Sequence, residues 1–219
     1  MAALPNRATT EGRGVGSRRE TGGHGLLWRF PVPASGPRVV RVTRAIVGFG
    51  ERTDHTLMHR VNGWRAPRWL RLWMIAATRG GDGGLWYGMG LVVALFGGED
   101  RIKAIGAAGL ATGVGIALFL KLKRAFGRKR PCALEPHCWA TLLPPDQFSF
   151  PSGHTITAFS VAISLGIFYP TMLPGLLFCA ASVAVSRILL GMHFLTDVLA
   201  GAGIGTALGY FAADMLRSL

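Results

Sequence analysis

Three cysteines in 219 residues are too few for a disulfide-dense secreted scaffold. Acidic residues are scarce as well, with 11 Asp plus Glu against 24 Lys plus Arg and a formal net charge of +13. Charged residues of both signs make up only 16% of the chain, where soluble domains carry about 25%. With half the residues hydrophobic, that deficit points to a membrane and excludes disorder as the overall state. Basic and apolar character together indicate lipid and phosphate as partners. Charge alone also fits nucleic acid, but such binders seldom hold this much apolar sequence, and no nucleic-acid partner is expected. No apolar run of signal-peptide length precedes the first arginine cluster, so a cleaved leader is not expected.

The positive charge is concentrated at the front. Arg7, Arg13, Arg18, Arg19 and Arg29 stand among Gly, Pro, Ser and Thr, and residues 1–37 read as a disordered basic tail, either solvated or tethered to anionic headgroups. Residues 38–219 read as one membrane-embedded domain. From Val39 to Arg79 apolar and basic residues alternate at helical spacing, and Trp64, Trp69 and Trp73 stand among Arg65, Arg68 and Arg71. That pairing suits the headgroup zone; two helices packed outside a bundle fit it nearly as well. Spanning helices are expected over 85–96, 104–120 and 198–213, and two more within 155–185, where Tyr169, Pro170, Pro174 and Gly175 supply a turn. The fold class is therefore an all-α polytopic membrane bundle of five transmembrane helices, or six if the 66–79 region crosses. Glycines at 106, 109, 113, 115, 201, 203, 205 and 209 suit close helix packing.

Ionisable residues at the ends of such spans are expensive and usually functional. Three clusters occur: Lys121 to Pro131 after the 104–120 span, Phe150 to His154 before the next, and Ser186-Arg187 with His193 and Asp197 around the last turn. Following the spans back and forth brings all three to one membrane face. Lys123 and Arg130 lie seven apart, on one helical face if the helix continues, and Arg187 adds a third cation. Such a group grips a phosphate or pyrophosphate, assisted by the backbone N–H groups of Ser152 and Gly153 where a helix opens. His193 and Asp197, four apart, are neighbours on a helix, with the carboxylate holding one imidazole nitrogen and leaving the other nucleophilic. His154 is then free to protonate a leaving oxygen. Zinc is the competing reading of two His and an Asp, but the surrounding cations repel a divalent ion, and neither metal nor cofactor is expected.

Lys123, six residues, Arg130-Pro131; Pro151-Ser152-Gly153-His154; and Ser186-Arg187, five residues, His193, three residues, Asp197 together resemble the three signatures of the type 2 phosphatidic acid phosphatase (PAP2) superfamily, in order and at its spacing. The likeness covers about residues 50–214. It implies an all-helical core, usually of six spans, and metal-independent hydrolysis of a phosphomonoester or pyrophosphate. It implies His193 as the nucleophile forming a phosphohistidine, Asp197 as its helper and His154 as the acid, with Lys123, Arg130, Ser152, Gly153 and Arg187 holding the phosphate.

The remaining polar residues have quieter readings. Lys121, Arg124, Arg128 and Lys129 are expected on a headgroup-facing surface, His24, His55, His59 and His137 on the surface, and Ser149 and Asp146 in loop-shaping roles. Cys132 and Cys138 share a loop and form a disulfide only if it faces an oxidising compartment. Three functions remain open: a phosphatase acting on a membrane lipid such as undecaprenyl diphosphate, phosphatidate or phosphatidylglycerol phosphate; a lipid phosphotransferase using the same histidine; or a non-enzymatic membrane protein. The spans exclude a soluble small-molecule phosphatase. A bacterial inner-membrane location is expected, and six crossings would put the tail inside and the site on the periplasmic or exterior face.

Overall fold

The computed structural model describes residues 38–134 and 147–219, which are helical almost throughout. In chain order they form α1 (Arg38–Gly63), α2 (Arg68–Gly81), α3 (Gly84–Phe96), α4 (Arg101–Phe126), the single turn α5 (Pro131–Leu134), α6 (Gly153–Phe168), α7 (Leu173–Leu189) and α8 (Leu195–Arg217). Among the described residues there is no strand, only an isolated bridge between Lys129 and Phe148. The tail over 1–37, Cys138 and hence its pairing with Cys132, His24, His137 and Asp146 lie outside the described residues.

The expected helices form, and local chemistry explains their ends. The 155–185 stretch breaks at a 3-10 turn, Pro170–Met172, and the Tyr169 hydroxyl there donates to the Gly97 carbonyl at 2.8 Å, tying the turns at that end together. α4 stops where Gly127 takes φ +58 and returns its N–H to the Lys123 carbonyl, a left-handed cap that glycine adopts at no steric cost. α6 starts behind Ser152, which is extended.

The tightest seam joins α6 and α8. A Cβ on Gly201 would lie 2.8 Å from the Ser152 carbonyl oxygen, and one on Gly209 2.7 Å from that of Ser160. Gly201, Gly205 and Gly209 recur every fourth residue, so one face of α8 is bare enough for the two backbones to touch. The hydroxyls of Ser160 and Ser164 on α6 donate across the seam to the carbonyls of Gly205 and Gly209, at 3.3 and 3.2 Å. Gly115 performs the same service in α4 beneath Ile156, whereas Gly109, Gly113 and Gly203 face open space. The packing reading of the glycines thus holds for one set and not the other.

Outside this core, Leu91, Leu95, Phe96, Ile102, Phe178 and Phe211 are exposed, a belt that only lipid would cover. Among the described residues three helical stretches, Gly98–Phe126, Pro170–Leu189 and Leu195–Arg217, are long and apolar enough to cross a membrane, and α6 is apolar but shorter at 16 residues. The protein is an all-α integral membrane bundle. The C-terminal ends of α4 and α7 and the N-terminal ends of α6 and α8 meet at one end of it. There Ser152 N–H donates to the Asp197 carbonyl at 3.1 Å and Cys132 N–H to that of Gly191 at 3.2 Å.

Candidate active site

His193 lies in the short turn between α7 and α8, entered through Gly191 at φ +66. The turn is pinned by the N–H groups of Met192 and His193, which both donate to the Arg187 carbonyl at 3.0 Å. The imidazole is 2% exposed. Its Nδ1 lies 2.7 Å from the Ser149 carbonyl oxygen, which accepts only if Nδ1 carries the proton. That tautomer leaves the Nε2 lone pair available, and Arg130 Nη1 approaches it at 3.2 Å. Burial pushes the His193 pKa down to about 4; Asp197 opposes this and the charges of Arg130 and Arg187 reinforce it. The ring is therefore neutral at ordinary pH, with a basic nitrogen set among cations.

The sequence places Asp197 beside His193 on a helix, and the structure corrects this. His193 precedes α8, and Asp197 Oδ2 stands 3.8 Å from Nδ1, too far for a hydrogen bond. The partner within hydrogen-bond distance of Nδ1 is the backbone carbonyl of Ser149 instead. Asp197 caps α8 by accepting the Phe194 N–H at 2.8 Å. Its other oxygen takes Arg128 Nη1 at 2.5 Å.

Arg128 is the second correction. It is expected on a headgroup-facing surface, yet it is fully buried, whereas Lys121, Arg124 and Lys129 are exposed as anticipated. Its guanidinium forks between two carboxylates, Asp197 and, through Nη2 at 2.6 Å, Asp54 of α1. It also lies 4.0 Å above the Phe194 ring. Asp54 takes the Thr196 N–H at 3.1 Å and its hydroxyl at 2.5 Å. A charge this deep is tolerable because both partners are charged and aligned.

The third correction concerns Lys123 and Arg130. The helix does not continue between them, because Gly127 ends α4. Both are nonetheless buried at the site end. Arg130 donates to the Met192 carbonyl at 2.8 Å, and Lys123 lies 4.6 Å from the Phe119 ring centre. Arg187 Nη1 donates to Thr78 Oγ of α2 at 2.7 Å. Ser152 is buried, with its own N–H spent on Asp197 and its hydroxyl accepting from Thr155 at 2.9 Å. The backbone N–H groups for an anion are thus those of the first turn of α6, from Gly153 onward.

His154 differs from His193 in exposure and in its partner. Its side chain is 26% exposed and its Nε2 donates to Asp82 Oδ1 at 2.7 Å. A groove of about 890 Å³ opens beside it between α3, α4 and α6, lined mainly by apolar side chains including Leu91, Ile105, Ile116, Phe119 and Val161. Among the described residues no three His, Cys, Asp or Glu side chains gather as metal ligands.

Sequence reasoning missed Asp54, Thr78, Asp82, the burial of Arg128 and the Ser149 carbonyl. Asp54 carried a readable signal, because it occupies the stripe shared with Met58 and Val61, all three buried. Asp82 carried another, as a lone acid between pairs of glycines.

Helices with an apolar exterior, with a buried histidine and buried Lys and Arg side chains gathered at one end, define an integral membrane protein. The chain belongs to the PAP2 superfamily, whose family model matches residues 104–218. It is 34% identical over 102 residues to decaprenylphosphoryl-5-phosphoribose phosphatase of Mycobacterium tuberculosis, covering 47% of this chain and 55% of that one. Over 132 residues it is 32% identical to lipid A 1-phosphatase of Porphyromonas gingivalis, covering 55% of this chain and 27% of that one. The chain thus spans about half, or less, of the length of these curated relatives. Its fold matches the crystal structure of a transmembrane PAP2-type phosphatidylglycerolphosphate phosphatase from Bacillus subtilis, with TM-score 0.63 and 23% identity over 82% of this chain and 92% of that one.

Proposed function

We propose that the protein is a lipid phosphatase that hydrolyses a phosphate monoester or pyrophosphate on a membrane lipid through a phosphohistidine at His193. The observation that carries this reading is the held imidazole: Nδ1 is fixed by a backbone carbonyl and Nε2 faces Arg130. A nucleophile so aimed needs no base to expose its lone pair. In the first step His193 Nε2 forms a bond to phosphorus as the ester P–O bond breaks, and the leaving oxygen takes a proton from His154. In the second, water attacks the phosphorus, its proton passes to His154, and inorganic phosphate leaves with His193 restored. Lys123, Arg130, Arg187 and the α6 amides from Gly153 onward hold the phosphoryl oxygens, with Ser152 shaping that turn. Asp197 acts at longer range on the His193 ring. The apolar groove beside His154 accommodates a lipid chain, and the curated relatives named above are phosphatases.

Residues 38–219 form the catalytic domain, residues 1–37 a basic tail, and the site faces the exterior of a bacterial inner membrane. Impermeant thiol labelling of Lys129→Cys in spheroplasts, in a background without the native cysteines, tests the sidedness. Labelling supports it, and protection until lysis overturns it.

The activity is tested with purified, detergent-solubilised protein in EDTA, offered undecaprenyl diphosphate, phosphatidate and phosphatidylglycerol phosphate. Expected is phosphate release that survives chelation, is lost in His193→Ala, and proceeds through an acid-labile phosphoenzyme. Activity abolished by EDTA, or retained in His193→Ala, overturns the mechanism. Phosphate appearing only on an added acceptor identifies a phosphotransferase, and no turnover at all leaves a non-enzymatic membrane protein.

A further inference from the structure

The turn between α2 and α3 brings His154 an acid that lies outside the residues matched by the family model. It reads Gly80-Gly81-Asp82-Gly83-Gly84, and the two glycines that flank Asp82 are needed there. Gly83 has φ +132, and a Cβ on Gly81 would meet Val183 Cγ1 of α7 at 2.8 Å. A turn that approaches α7 so closely sets the carboxylate of Asp82 against the ring of His154 at 2.7 Å. Four residues earlier, hence on the same face of α2, Thr78 receives the Arg187 guanidinium at 2.7 Å. One helix end therefore holds two side chains of the site.

We propose that Asp82 is a positioning residue for His154. It accepts the Nε2 proton, fixes the ring plane, and leaves Nδ1 to carry the proton that is transferred. The proposal rests on the reading of His154 as the acid. As the ester P–O bond breaks, the leaving alkoxide takes the Nδ1 proton. The ring becomes neutral, with Nε2–H still on Asp82, and Nδ1 regains a proton from water in the second step. A carboxylate on the far nitrogen offsets the charge the ring bears before transfer and prevents it from rotating.

The test compares two leaving groups, using kcat/KM so that only formation of the phosphoenzyme is read. An alkyl lipid phosphate such as phosphatidate needs its leaving oxygen protonated, whereas 4-nitrophenyl phosphate does not. Asp82→Ala is expected to lose about 10-fold to 100-fold on phosphatidate and less than about 3-fold on the aryl ester, with Asp82→Asn between wild type and Asp82→Ala. Equal losses on both substrates, or no loss on either, overturn the proposal. His154→Ala is run in parallel and is expected to show the same selectivity with a larger loss. If His154→Ala is indifferent to the leaving group, it is the acid reading of His154 that fails. An unchanged thermal transition of each variant in detergent separates these results from misfolding.

Discussion

The four long helices from α4 onward and the three helices in front of them contribute to the site in different ways. Every side chain assigned to phosphate holding or phosphoryl transfer lies between Lys123 and Asp197. From the front of the chain come partners of those side chains and of their neighbours: Thr78 for Arg187, Asp82 for His154, and Asp54 for Arg128 and Thr196, while α3 lines the apolar groove. A motif thus marks where chemistry happens and not what holds it still. Residues 104–218 carry the family likeness, yet a buried arginine within them is neutralised in part by an aspartate 74 residues earlier. On this view the motif-bearing segment is not self-sufficient, and α1 to α3 complete it.

The largest effect that would break this division is at its most buried bridge. Arg128→Met leaves Asp54 and Asp197 as facing carboxylates with no cation between them. Losing one partner of a buried ion pair costs about 3–5 kcal/mol, so the variant should melt far below wild type in detergent, read by tryptophan fluorescence. Asp54→Asn should follow it with a smaller loss, since a neutral acceptor remains for Thr196. Arg124→Ala and Lys121→Ala, which are exposed, should change stability by less than about 0.5 kcal/mol. If Arg128→Met resembles Arg124→Ala, α1 does not brace the site.

The pH dependence tests the other side of the comparison, because His193 owes its state to burial within the motif-bearing half. Its folded-state value of about 4 lies below the ordinary 6.5, so the unfolded chain takes up a proton at higher pH than the folded one. The resulting contribution to stability is present above pH 6.5 and lost as pH falls toward 4. The proposed nucleophile is the neutral ring, so the acid limb of kcat/KM for 4-nitrophenyl phosphate should lie near pH 4 to 5. A limb at pH 6.5 would mean that water reaches the ring.

Much of this was legible in the sequence. The helices were marked by uncharged runs, and their order alone carried three charged clusters to one face. Lys123, Arg130, Ser152, Gly153, His154, Arg187, His193 and Asp197 all assemble at that end of the bundle. What escaped was whatever depends on a break in periodicity or on the backbone. Lys123 and Arg130 share a helical face only if the helix continues, and the left-handed cap at Gly127 between them ends it. The acceptor for His193 is a main-chain carbonyl, which no residue type announces. Arg128 sat among basic neighbours and looked solvated, because its partner Asp54 belongs to a helix without a motif.

Smaller effects sharpen the comparison inside each half. In α8 a Cβ at Gly205 collides with the Ile156 carbonyl, while Gly203 faces open space. Backbone cannot move aside cheaply, so Gly205→Ala should cost about 1–3 kcal/mol. Gly203→Ala should be neutral or gain up to about 1 kcal/mol from helix propensity. Equal melting temperatures for the two would mean that the α6–α8 seam does not set the rigidity of the motif-bearing half.

The mildest test falls on the front half. Thr78→Val keeps the size of the side chain and removes the oxygen that accepts from Arg187. One such bond to a charged group is worth about 1.5–3 kcal/mol, but a phosphate in the site supplies Arg187 with another acceptor, so most of that is recovered once substrate binds. Expected is a shift of a few fold or less, confined to KM and equal for phosphatidate and 4-nitrophenyl phosphate, since Thr78 acts on phosphate holding and not on the leaving group. The contrast with Asp82→Ala is informative because both residues sit on one face of one helix end. If Thr78→Val discriminates between the two leaving groups as Asp82→Ala does, the end of α2 moves as a unit and the separate assignments to Arg187 and His154 collapse into one.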